Sequence, residues 1–270
     1  GTGVLAVYAV GVTFQRYVAL GDSFTEGVGD HDPSLPNGVR GWADRVAAVL
    51  AVDEPDLTYA NLAIRGRKLR PILDEQIEPA LAMRPDLVTL YAGANDVLRP
   101  RVDIDALVGA YDEAVGRLAA SGAHVVLFTA YDPGGHAVFG ALRGRFAVYN
   151  ELVREVAERH FATLVDFWRL REYRDDRMWD ADRMHMASPG HQRMAIAVLD
   201  ALDVPHDLQP LALADRPVLT ERERRQANLA WAREHAGPWV RRRLTGVSSG
   251  DTISPRWPTP SPVRGAAGEA

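Results

Sequence analysis

The chain has 270 residues, 47% hydrophobic, 25% charged and 8% aromatic, a balance that supports one large core or two small ones. Its formal net charge is -5, and Lys68 is the lone lysine among 31 basic residues, so no polybasic footprint suits nucleic acid as a partner. The absence of cysteine excludes a thiolate nucleophile, a disulfide framework and a cysteine-ligated metal.

Residues 1–16 form an N-terminal extension. Its stretch "GTGVLAVYAVGVTF" is apolar but too short to cross a bilayer, and it lacks the basic start of a signal peptide, since the first basic residue is Arg16. No integral membrane segment is expected. The expected localisation is cytoplasmic, with secretion compatible with removal of a leader. From residue 17 onward, short apolar runs alternate with helical patterns. "YVALGD" (17–22), "LTYANLA" (57–63), "DLVTLYAG" (86–93), "HVVLFTA" (124–130) and "ATLVDFW" (162–168) read as strands. Their near-continuous hydrophobicity suits parallel strands buried on both faces. Amphipathic patterns over 41–51, 68–83, 104–121, 141–160 and 189–202 read as the helices between and after them. Five such repeats predict an α/β domain over 17–204, doubly wound, with a five-stranded parallel sheet.

After Pro205 a polar connector leads to Thr220-Glu221-Arg222-Glu223, which has the form of a capping box and opens a helix to about Ala236. Gly237-Pro238 is expected to break or kink it. Residues 205–243 are expected to be a helical appendage on the core. Residues 244–270, rich in Ser, Pro, Gly and Thr, are expected to be an extended or disordered tail.

In a doubly wound sheet, ligands bind beyond the carboxyl ends of the strands. Four polar sites fall on the loops that reach that edge: Ser23; Asn61 with Gly66; Gly93 with Asn95; and Asp182 with His185. Each fits a task in acyl transfer. A serine hydroxyl needs an adjacent base, and His185 is the natural one. Asp182, three residues earlier, is placed to accept the Nδ1–H and fix the tautomer. The backbone N–H groups of Ser23 and Gly66 and the Asn95 amide are candidate oxyanion donors.

Each residue also has a structural reading. Ser23-Phe24-Thr25-Glu26 is itself an S-x-x-E capping box, Asp22 suits a tight Asx turn, and Asn61 suits support of the Gly66 loop. Asn95 or Asp96 suits a helix cap. His185 and His191 lack zinc-like spacing and a third ligand, so no metal is expected. The loops after Ser23, after Asn95 and after the fourth strand should wall the site, with Phe24, Val97 and Tyr131 as expected substrate contacts. None of these loops carries a long apolar lid, which favours small to medium acyl groups.

The blocks "GDSFTEG", "NLAIRG", "GAND" and "DRMH", in that order, resemble those of the SGNH/GDSL hydrolases, named for Ser, Gly, Asn and His. The resemblance spans about residues 17–202. It implies a flavodoxin-like three-layer α/β/α fold and cofactor-free esterase or lipase activity on a small-molecule ester. The carried-over roles are catalytic for Ser23, Asp182 and His185, and oxyanion-binding for Ser23, Gly66 and Asn95. Acyl transfer or thioester hydrolysis by the same site is the alternative, and a non-catalytic binding module is the rival from another class. One departure is visible: many members have Pro directly after the catalytic His, whereas Met186-Ala187-Ser188-Pro189 delays it. Oligomeric state has no signature here.

Overall fold

The computed structural model describes residues 13–134, 139–215 and 217–263; residues 1–12, 135–138, 216 and 264–270 lie outside them. Five parallel strands are buried on both faces: β1 (Arg16–Gly21), β2 (Thr58–Asn61), β3 (Leu87–Tyr91), β4 (His124–Phe128) and β5 (Thr163–Val165). The alternation of side chains explains the continuous apolar runs. In β1, Val18 and Leu20 face one core cluster while Tyr17 and Ala19 face the other; in β4, Val125 and Leu127 oppose Val126 and Phe128 in the same way. One face is covered by α3 (Leu69–Ala82), α5 (Ile104–Ala120) and α6 (Arg143–Arg159). The other is covered by α2 (Trp42–Asp53) and α7 (Ser188–Ala201). Two short helices, α1 (Ser23–Glu26) and α4 (Ala94–Val97), cap the carboxyl ends of β1 and β3.

The sheet has six strands, not the five expected. Its order is β5-β4-β3-β1-β2-β6, and β6 (Trp257–Pro262) pairs antiparallel with β2 at the edge. This strand was hidden by Pro258, Pro260 and Pro262. Successive N–H groups of a strand point to opposite sides. Val263 N–H reaches Leu57 O, so Pro262, one residue before it, faces away from β2; Pro258 and Pro260 lie where the register shifts between Ser261 and Trp257. The missing Pro262 donor therefore falls on the solvent side, as suits a proline on an edge strand.

The tail is anchored by a buried charge as well as by pairing. Arg256, 3% exposed, places its guanidinium 2.6 Å from Asp44 and donates to the carbonyls of Glu26 and Pro36 at 3.1 Å. Before it, α8 (Glu221–Trp231) starts with the capping box read from the sequence, the Thr220 side chain and Glu223 each satisfying the other's backbone N–H. Gly237-Pro238 does not end the helix. A π turn over Ala232–Ala236 carries the chain into α9 (Gly237–Thr245), and the widened turn accommodates Pro238, which has no N–H to donate to the preceding turn. No helix among the described residues is long and apolar enough to cross a membrane.

Candidate active site

Strand β1 lies between β2 and β3, so the chain leaves it in opposite directions and the crevice opens at the ends of β1 and β3. Ser23 follows β1 and Asn95 follows β3. The turn out of β1 is clamped by Gln76 of α3, whose amide accepts from Gly21 N–H at 2.8 Å and donates to Gly21 O at 2.9 Å. Sequence reasoning missed Gln76; its signal is a lone amide on the buried face of α3, beside Ile72, Ile77 and Ala80.

Asp22, not Ser23, caps α1: its Oδ1 accepts from Phe24 N–H at 3.0 Å. The Ser23–Glu26 capping box, the structural reading of this stretch, does not form. The buried Glu26 carboxylate instead pairs with Arg65, taking its backbone N–H at 2.6 Å and its guanidinium at 2.6 Å. With Asp22 as cap, the Ser23 hydroxyl is released toward the crevice. Neither that hydroxyl, nor the Ser23 N–H, nor the Gly66 N–H has a hydrogen bond among the described residues. Ser23 N–H sits at the positive end of α1.

The acid–base pair comes from the turn before α7. Asp182 Oδ2 lies 2.5 Å from His185 Nδ1, and Oδ1 accepts from the N–H groups of Met184 (2.8 Å) and His185 (2.9 Å). Burial alone would raise the Asp182 pKa. The hydrogen bond and charge of His185 outweigh it, together with the two N–H groups, and hold the carboxyl down at about 2. An ionised Asp182 only accepts, so Nδ1 carries the proton and Nε2 is the basic nitrogen. The late proline has a local reason: Met186 is buried and bridges Trp179, Ala187 N–H bonds Met178 O at 2.9 Å, and Pro189 then starts α7.

Ser23, Asn95 and His185 line one cleft of about 1350 Å³. Phe24 and Tyr131 line it too. Val97 does not: it is fully buried in the core below α4, and Leu98 takes its place on the cleft wall. The geometry of α4 explains the exchange, because Asn95 and Leu98, three apart, share a face and Val97 falls on the opposite one. Gly66 is exposed beside the cleft without lining it, in a turn with φ +74 that suits glycine. Asn61 is fully buried and ties β2 to α1 by donating to Thr25 O at 2.9 Å. Both Asn95 amide hydrogens are engaged, to Asp22 Oδ2 at 2.9 Å and to Arg67 O at 3.0 Å. Asp96 caps α3 instead of its own helix, accepting from Leu69 N–H at 2.8 Å. Burial pushes the Asp22 carboxyl up to about 7, against the pull of Phe24 N–H and His185.

A model of the GDSL-like lipase/acylhydrolase family matches residues 19–193. The chain belongs to this family. Among solved structures, one similar to it is LAE5, an alpha/beta hydrolase enzyme from the metagenome of Lake Arreo, Spain, at 28% identity over 72% of this chain and 97% of that chain, with a TM-score of 0.60. A catalytic mutant of Axe2, an acetylxylan esterase from Geobacillus stearothermophilus, is 21% identical over 73% and 97% of the two chains, with a TM-score of 0.61. TesA is 24% identical over 70% and 98%, with a TM-score of 0.58. The last two likenesses are of fold. No curated protein sequence matches. The family match ends before α8, α9 and β6, yet α8 and α9 contribute Asn228, Trp231 and Trp239 to the cleft wall. In this GDSL-family member the appendage expected on the core therefore also forms part of the cleft wall.

Within the family fold, His191 is structural. It is fully buried, accepts from Trp42 N–H through Nδ1 at 3.1 Å and faces Val28 O through Nε2 at 3.1 Å. Burial pushes its pKa down to about 4. Among the described residues no group of three or more His, Asp or Glu is placed to hold a metal.

Proposed function

We propose that the chain is a serine carboxylester hydrolase acting on small to medium acyl esters through an acyl-enzyme on Ser23. The observation that carries this reading is the 2.5 Å Asp182–His185 contact on the cleft to which Ser23 presents an uncapped hydroxyl. His185 Nε2 takes the Ser23 proton as Oγ attacks the ester carbonyl, and Asp182 stabilises the resulting imidazolium. The tetrahedral oxyanion accepts from Ser23 N–H, and from Asn95 once one amide hydrogen turns from Arg67 O or Asp22; Gly66, which does not line the cleft, is left out of this scheme. His185 returns the proton to the leaving alkoxide, which departs as the alcohol. Water, deprotonated by the same nitrogen, then attacks the acyl-enzyme and releases the acid. Asp22 acts as a positioning residue in this scheme, since its two oxygens hold the Phe24 N–H and the Asn95 amide.

The test is Ser23→Ala assayed on p-nitrophenyl acetate. Turnover is expected to vanish with the thermal midpoint unchanged; retention of most activity overturns the reading. The cleft volume, above the roughly 300–1,000 Å³ of ordinary small-molecule sites, favours one second reading, an acyltransferase or thioesterase with a larger co-substrate. Product analysis with alcohol and thiol acceptors present separates the two, because a transferase yields mainly the new ester or thioester.

A further inference from the structure

We infer that the C-terminal arm formed by α8 and α9 is part of the active site, and that Trp231 is a positioning residue for the Asp182–His185 pair as well as a wall of the cleft. The inference rests on the hydrolase reading above.

Three contacts from one helix converge on the turn that carries the acid and base. The Trp231 indole N–H donates to the backbone carbonyl of Asp182 at 2.8 Å. The Arg183 guanidinium lies over the Trp231 ring, 5.0 Å from its centroid. The same guanidinium donates to Asn228 Oδ1 at 2.9 Å. Asp182 is thus held at both ends: Trp231 fixes its carbonyl, while its carboxylate takes Met184 N–H, His185 N–H and His185 Nδ1. A shift of the Asp182 backbone carries the carboxylate with it and tilts the imidazole.

The turn needs such a hold. Arg183, between Asp182 and His185, has φ +57, a left-handed conformation in which an arginine is strained. Within the turn, Arg183 N–H bonds Asp180 O at 2.8 Å, Asp180 N–H bonds His185 O at 2.8 Å, and Asp182 Oδ1 takes the N–H groups of Met184 and His185. The contacts from the arm act on this strained residue and on the one before it.

The arm is not held in place by a buried face of its own. No residue of α8 is buried, and its helix is otherwise a solvated surface. A helix that merely packed on the core would bury an apolar stripe. Here the specific contacts of Asn228 and Trp231 go to residues 182 and 183. Trp231, Asn228 and Ala227 also line the cleft with Ser23 and His185, so the positioning helix meets the substrate directly. Because the family match ends at residue 193, this wall is an addition to the family site.

The test uses the full chain and separates positioning from folding. Trp231→Phe keeps an aromatic wall and a ring for Arg183 but deletes the N–H. It is expected to lower both kcat for p-nitrophenyl acetate and the rate of Ser23 labelling by a fluorophosphonate, in parallel, by about 3- to 10-fold, the worth of one neutral hydrogen bond. KM stays within about twofold, and labelling still reaches one per chain. Asn228→Ala, which leaves the indole bond intact, should move the same rates in the same direction by less. Trp231→Ala removes the wall, and is expected to raise kcat/KM for p-nitrophenyl hexanoate relative to acetate. Wild-type rates in both Trp231→Phe and Asn228→Ala overturn the inference. So does a reduced labelling endpoint with an unchanged rate per active chain, which makes the arm purely structural. Failure of the unmodified chain to label at Ser23 instead removes the hydrolase reading itself.

Discussion

Replacing Asp182 by Asn keeps size and shape and removes one charge, so it isolates what the carboxylate does. The Asn Oδ1 can still accept from Met184 N–H and His185 N–H, which directs its amide nitrogen at His185 Nδ1. Two donors then face each other unless the imidazole moves its proton to Nε2, the nitrogen that must act as the base. The ground-state pairing is already substantial. At about 1.4 kcal/mol per pH unit, the fall of the Asp182 pKa from 3.8 to about 2 corresponds to on the order of 2 kcal/mol. That figure is a net one, combining the cost of burial with the His185 hydrogen bond and charge and the two backbone N–H groups, which the Asn side chain still accepts. The reversed tautomer sets the expected loss at ~10⁴-fold in kcat, as for other Ser-His-Asp sites. The assay is steady-state hydrolysis of p-nitrophenyl acetate at pH 8, with a thermal melt of the same sample. A variant that melts normally and keeps kcat within about tenfold of the parent would refute the assigned role of Asp182.

Asn95→Ala is expected to cost about 2.7–4 kcal/mol of transition-state stabilisation, seen as a 10²- to 10³-fold drop in kcat with little change in KM; a drop under fivefold would remove Asn95 from the oxyanion site. His191, held neutral by burial with its pKa pushed from 6.5 to about 4, binds fewer protons folded than unfolded between those values. Stability is therefore lost as pH falls from about 6.5 toward 4, by on the order of 3 kcal/mol. Urea midpoints of His191→Gln and the parent should draw closer as pH falls through that window, and a constant gap would contradict the linkage. Arg256→Met leaves the Asp44 carboxylate buried without its guanidinium and orphans the carbonyls of Glu26, Arg40 and Pro36. It should lower stability by about 3–5 kcal/mol, read from the urea midpoint; a loss under 1 kcal/mol would mean the tail is not tied to the domain through this residue.

The strands were legible because burial on both faces leaves an unbroken apolar signature, as in "LVTLY" of β3. The four polar blocks were legible because each stands on a loop at the carboxyl edge of the sheet and their order matches that of the GDSL-like family, whose model covers residues 19–193. Local ambiguity defeated finer readings. Asp22 and Ser23 are both good caps, and the choice of Asp22 depends on Asn95, more than 70 residues away, holding the other carboxylate oxygen. Val97 and Leu98 are both apolar neighbours of Asn95, and the turn of a four-residue helix decides which meets the cleft. Strand β6 reads as a breaker-rich tail until the β2 edge is in place to pair with it. Gln76 and Trp231 act through backbone carbonyls far along the chain, a partnership that no spacing rule encodes.

The central claim is a covalent intermediate on Ser23. The direct measurement is to quench the enzyme with acid during steady-state turnover of p-nitrophenyl acetate and map the modified peptide by mass spectrometry. One acetyl group on the Ser23 hydroxyl, absent in Ser23→Ala, is the expected result. Full turnover with no acetyl on Ser23, or with the acetyl on another residue, would contradict it.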